Sequence, residues 1–123
     1  MPDLNSTIRA LKSALLETPK NTALRLHLAQ VYEENEMHSE AADEYLKITT
    51  FDSKNNEAIL GLCRNLFRKK DYESAKRQLT KIKNAESYYY LSQIFYHEGD
   101  LPNAQEYYNK SISLDEQFKK ESF

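Results

Sequence analysis

LAQVYEENEMHSEAADEYLKITTFDS, residues 28–53, is the stretch that decides the fold. Leu28, Ala29 and Tyr32 recur at helical spacing, and so do Ala41, Tyr45 and Ile48. Asn35-Glu36-Met37 separates the two runs. Each run therefore predicts a helix with one apolar stripe, and three residues predict a tight turn between them. A lone helix pair of this kind cannot bury its stripe and must stack on copies of itself.

The copies are present. Leu62-Cys63-x-x-Leu66 precedes Ala75-x-x-x-Leu79, and Leu91-Ser92-x-x-Phe95 precedes Ala104-x-x-x-Tyr108. From the repeat Leu to the later Ala is 13 residues in all three copies, and the copies are 34 and then 29 residues apart. A period near 34 with this large, small, aromatic pattern resembles the tetratricopeptide repeat family, over nearly the whole chain. The resemblance implies an all-α antiparallel helix-hairpin solenoid, a right-handed superhelix of about seven helices in one domain, residues 1–123. It also implies a non-enzymatic scaffold or adaptor that binds a peptide or helix in a concave groove.

Composition narrows the function classes. Only two Gly and three Pro in 123 residues argue against an all-β chain rich in turns. A 40% apolar share can still build a core, although 29% of residues are charged and mean hydropathy is −0.79. The net charge of −2 gives no bulk attraction for nucleic acid. No apolar run approaches the roughly 20 residues of a membrane span, and MPDLNSTIRALK does not read as a secretory leader. One cysteine, Cys63, allows no internal disulfide. Together these features predict a cytoplasmic protein without cofactor or membrane partner.

Taken in order, Leu4, Ile8, Leu11 and Leu15 predict a helix over residues 4–17, capped by Asn5 or Ser6, as the second helix of a half repeat. Pro19 falls where the family's inter-repeat Pro sits, and Ser53 stands at that place one repeat on. Repeat one covers 22–55, with helices over about 21–34 and 38–50. A shortened repeat two covers 56–84, with helices over about 56–69 and 71–83. Repeat three covers 85–118, with helices over about 86–98 and 101–114. Five residues are missing near Lys83-Asn84-Ala85, which predicts a very tight turn and one or two shortened helices. Gly99 suits a left-handed cap, Asp71 and Asp100 suit N-caps, and Pro102 suits a first helical turn. The tail 119–123 would begin another helix without completing it. The expectation is either a fragment of a longer protein or an end covered by a second copy or a partner.

Little here suggests chemistry. No phosphate-binding Gly loop or zinc spacing occurs. His27, His38 and His97 are scattered and read as solvated, Cys63 reads as a packing residue, and Glu33-Glu34-Glu36 reads as a solvated face. Lys69-Lys70, Arg77, Lys81 and Lys83 read as helix-surface charges. No catalytic residue and no metal site is expected.

The first helix of each repeat carries a second stripe at i, i+4 and i+7, distinct from the packing stripe. It comprises Leu26, Gln30 and Glu33 with Glu34; Leu60, Arg64 and Phe67 with Arg68; and Tyr89, Gln93 and Tyr96 with His97. In the family this stripe lines the groove. Position by position the rows read Leu26–Leu60–Tyr89, Gln30–Arg64–Gln93 and Glu33–Phe67–Tyr96. The family's carboxylate clamp needs Lys, Asn and Arg at places held here by Leu26, Gln30, Gly61, Glu86 and Tyr90, so that clamp is not expected. An alternative is self-association through an open aromatic end at Tyr108, Ile112 and Phe118. Tyr88-Tyr89-Tyr90 with Tyr96, Tyr107 and Tyr108 would form an exposed aromatic patch, or Tyr88 and Tyr108 would fill gaps between helices. Such modules are often fused to an effector such as an ATPase.

Overall fold

The computed structural model describes residues 3–115. Among them are seven α-helices and no strand: α1 Leu4–Glu17, α2 Thr22–Glu34, α3 His38–Phe51, α4 Asn56–Arg68, α5 Tyr72–Leu79, α6 Ala85–His97 and α7 Leu101–Leu114. The all-α class and the number of helices are those the repeat pattern predicts. α1–α4 form one compact unit and α5–α7 another, divided after Lys70.

In the first unit α2 and α3 close as an antiparallel hairpin. Ala29 and Ala41 are wholly buried, which lets the backbones approach, and Ala58 and Cys63 serve the same purpose on α4. The space left is filled by Leu28, Tyr45, Ile48 and Leu62, all nearly or wholly buried. Burying a side chain of this size contributes about 1.5–3 kcal/mol. Asn21 and Asn55 cap α2 and α4 by accepting from the backbone N–H of Leu24 and Ala58. The cap of α1 is Asp3, which accepts from Ser6 N–H at 2.7 Å, and not Asn5 or Ser6. Asp3 takes this role because it directly precedes Leu4 and offers a strong acceptor to the helix's free N–H groups.

Three turns share one device. Glu36, Lys70 and Gly99 have φ of 59°, 63° and 81°. They stand 34 and then 29 residues apart, in step with the repeat. Glu36 N–H donates to Glu33 O and Met37 N–H to Tyr32 O; Gly99 N–H donates to Tyr96 O and Asp100 N–H to Phe95 O. This double closure satisfies carbonyls that a helix end leaves free. Only Gly99 announces the left-handed residue in sequence.

In the second unit, the missing residues come out of a helix and not out of a turn. α5 has 8 residues where α3 has 14, whereas α2, α4 and α6 each have 13. α5 ends at Leu79, four residues before the expected end, and residues 80–84 make the link. Asn84 accepts from Ser87 N–H, Ser87 Oγ accepts from Asn84 N–H, and Ser87 Oγ donates to Ile82 O. That capping box starts α6 abruptly.

The second unit replaces apolar core residues by serine. Ser92 stands at the place of Ala29 and Cys63, and Ser111 at the place of Ile48 and Ile82. Both are fully buried. Their hydroxyls donate to the carbonyls of Tyr89 and Tyr108 three residues back, so neither is stranded. Aromatic rings supply bulk instead: Phe95 stacks on Tyr107 at 5.6 Å, and Tyr88 meets Tyr107 at 5.9 Å. Lys76 and Lys110 sit over Phe95 and Tyr107 at 5.2 and 4.8 Å.

Candidate functional site

In the first unit the candidate stripe is built around Glu33. Its Oε1 accepts from the Tyr45 hydroxyl at 2.8 Å, and its two oxygens accept from Arg64 Nε and Nη2 at 2.9 and 3.2 Å. Three helices thus contribute to one carboxylate. Burial by itself pushes the Glu33 carboxyl up. The Arg64 and Tyr45 hydrogen bonds and the Arg64 charge outweigh it, so the carboxyl lies below its ordinary value. Burial first, and then the Glu33 carboxylate, push the Tyr45 hydroxyl well above its ordinary value.

This geometry bears on three expectations. Glu33 is a paired, partly buried group and not a solvated one. Arg64, read as a groove residue, is tied to Glu33. Between α2 and α4 the pairing runs diagonally: Glu33 meets Arg64, and Gln30 Nε2 donates to Glu57 Oε1 at 3.2 Å. Long side chains of matching polarity reach across a helical turn to find each other.

Leu60 is also corrected, being 7% exposed and part of the core. Gln30, Glu34 and Arg68 are exposed, and Leu26 and Phe67 are half-buried. A shallow depression gathers Gln30, Glu33, Glu34 and Arg64.

The second unit carries the rest of the candidate stripe on α6. Tyr96 is 42% exposed and His97 is exposed, while Tyr89 and Gln93 are half-buried. Gln93 Nε2 donates to the Tyr89 hydroxyl at 2.7 Å, and Tyr89 lies beside Tyr90 at 6.1 Å. His97 stacks on Tyr72 at 6.2 Å and meets the edge of Tyr96 at 6.0 Å. Tyr72 has no place in the sequence-derived stripe. Tyr108 and Ile112 are half-buried. Phe118 lies outside the described residues.

Two of the three histidines are not simply solvated. His38 Nδ1 lies 2.7 Å from Oδ1 of wholly buried Asn65, whose Nδ2 donates to Gly61 O at 2.7 Å. Asn65 Oδ1 must therefore accept, and His38 carries a proton on Nδ1. His97 belongs to the aromatic group above, and His27 is exposed. Cys63 is buried. Lys81 and Lys83 are exposed but lie beyond the end of α5, not on a helix. Among the described residues no group of three His, Cys, Asp or Glu could hold a metal ion. No helix of the described residues is long and apolar enough to cross a membrane.

The sequence reading missed the Glu33–Arg64 link and Glu57. A usable signal existed: an acid and a base 31 residues apart, three short of the 34-residue step.

Comparison with known proteins agrees with this architecture. Residues 85–118 match the tetratricopeptide repeat model. No curated protein matches the sequence. Two crystal structures of MamA are similar, each with 26% identity and a TM-score of 0.86 over 96% of this chain, which spans 72% and 67% of those chains. YrrB, a tetratricopeptide-repeat protein with an unusual peptide-binding site, shares the fold with 20% identity and a TM-score of 0.72, over 89% of this chain and 59% of its own. The matched repeat at residues 85–118, the helix pattern in register and the likeness to these structures together show a fold similar to that of tetratricopeptide-repeat proteins.

Proposed function

We propose that the chain is a protein–protein interaction module whose partner is a peptide or a helix. The observation that carries this reading is the division of labour along the first helices. Leu28, Leu62 and Leu91 are buried, yet Gln30, Glu34, Arg68, Tyr96 and His97 stay exposed. Rigid aromatics interspersed with amide side chains suit a binding surface: they give contact area at low entropic cost. Of the groove residues read from sequence, Leu26, Gln30, Phe67 and Arg68 in the first unit and Tyr89, Gln93, Tyr96 and His97 in the second are the contact candidates. Arg64 keeps a positioning role through Glu33. The peptide-binding site of YrrB supports the reading by analogy of fold.

The test is a capture experiment with the immobilised chain and its Gln93→Ala/Tyr96→Ala variant, compared by quantitative mass spectrometry. Loss of specific partners from the variant, with its helical circular dichroism intact, is the expected result. Equal capture by both proteins would remove the α6 stripe from the site.

A further inference from the structure

A second feature of the first unit lies away from this stripe. α1, α2 and α3 enclose an open cleft of about 330 Å³. That size lies within the roughly 300–1,000 Å³ of ligand sites. Its floor is apolar: Leu15 and Leu28 are buried, and Pro19 closes one end. On its rim Leu16 is 83% exposed, a leucine that no packing within the unit accounts for.

The walls are cationic. Lys12, Arg25 and Lys47 line the cleft against a single carboxylate, Glu44. Both Glu44 oxygens are already engaged, Oε1 by Arg25 at 2.8 Å and Oε2 by Lys47 at 2.9 Å. Arg25 is itself held in place, since Nε and Nη2 donate to Pro19 O at 3.0 and 2.8 Å. Its side chain is 14% exposed and that of Glu44 is 8% exposed. The wall is therefore a fixed ion pair with cationic excess, and Lys12 has no partner among the described residues.

We propose that this cleft is a second binding site, for an acidic partner segment that inserts a leucine-sized side chain flanked by carboxylates. The apolar floor takes the side chain, and Leu16 extends that contact. Lys12 and Lys47 face the flanking carboxylates, while Arg25 and Glu44 keep the wall rigid. Opposite charge selects the partner, and the apolar floor anchors it.

The test is a ¹⁵N–¹H correlation titration of the whole chain with the capped peptide acetyl-EELLEE-amide. Parallel titrations use acetyl-QQLLQQ-amide and sodium decanoate. The expected result is saturable shifts clustered at Lys12, Leu16 and Lys47. Binding should be about tenfold weaker for the glutamine peptide, as loss of two or three exposed ion pairs implies. The variants Lys12→Glu and Leu16→Ser change exposed side chains and should keep the fold while weakening the acidic peptide by a similar factor. Shifts elsewhere, no shifts, or equal binding of both peptides would overturn the proposal. Saturation by decanoate without response to the acidic peptide would also overturn it, and would reassign the cleft to a free amphiphilic carboxylate.

Discussion

Gly61 on α4 faces the ring of Tyr45 on α3, and a Cβ on Gly61 would collide with three atoms of that ring. Tyr45 cannot yield easily. It is wholly buried, and its hydroxyl is fixed on Glu33. The glycine in the middle of a helix is therefore a packing device, tolerated despite about 1 kcal/mol of lost helix propensity.

Gly61→Ala is expected to destabilise the protein by about 1–3 kcal/mol, although alanine is the better helix former, because overpacking outweighs propensity. Urea unfolding measures it. Adding Tyr45→Leu should make the alanine at 61 neutral or better, so the two substitutions will not be additive.

The Glu33 network gives a pH signature. Its folded carboxyl titrates below the ordinary 4.5, so its contribution is present above that value and lost as pH falls through the lower folded value. Glu33→Ala should cost about 1–3 kcal/mol near neutral pH, since it strands the buried Tyr45 hydroxyl. Glu33→Gln keeps an acceptor and should cost less. The gap between wild type and Glu33→Gln should shrink as pH is lowered below 4.5. Chemical denaturation across that range checks it.

The three left-handed turn residues are not equivalent. Glu36 and Lys70 adopt positive φ with a Cβ, whereas Gly99 does so without one. Glu36→Gly and Lys70→Gly should each stabilise by up to about 1 kcal/mol, from relief of αL strain. Gly99→Ala should destabilise by about 1 kcal/mol even though its Cβ would meet nothing within 4 Å, because the strain lies in the backbone. Thermal unfolding of the three variants decides the signs.

Adjacent aromatics on α6 differ in what they touch. Phe95→Ala removes a stack on Tyr107 and the ring under Lys76, and should cost about 2–4 kcal/mol. Tyr96→Ala, at 42% exposure, should stay within about 0.5 kcal/mol of wild type. A large loss in Tyr96→Ala would make that residue a packing residue.

Much of this was legible in the chain. Repeated Leu, small and aromatic positions report burial directly, so the helix pattern around Leu28, Leu62 and Leu91 could be read by spacing. Asp71, Asp100 and Gly99 mark their helix ends with chemistry that few other residues share. Glu36 and Lys70 adopt the same backbone state as Gly99 with side chains that do not signal it. The shortening of α5 could be counted but not located, because a deletion leaves no residue behind to show whether helix or turn was lost. The stripe on the first helices was visible as a set. Its pairing was not, since the Glu33–Arg64 bond depends on side-chain reach between helices. The same limit hid the burial of Leu60 and the bond between His38 and Asn65.

The most direct test of the account is selection of a displayed random peptide library on the whole chain, followed by ¹⁵N–¹H mapping of the enriched peptides. The account expects enriched peptides whose shifts fall on the exposed stripes, around Gln30 and Glu34 or around Gln93 and Tyr96, and whose binding drops in Gln93→Ala/Tyr96→Ala or in Gln30→Ala. No enrichment, or enriched peptides whose shifts avoid both stripes, would contradict the assignment of these surfaces to partner binding.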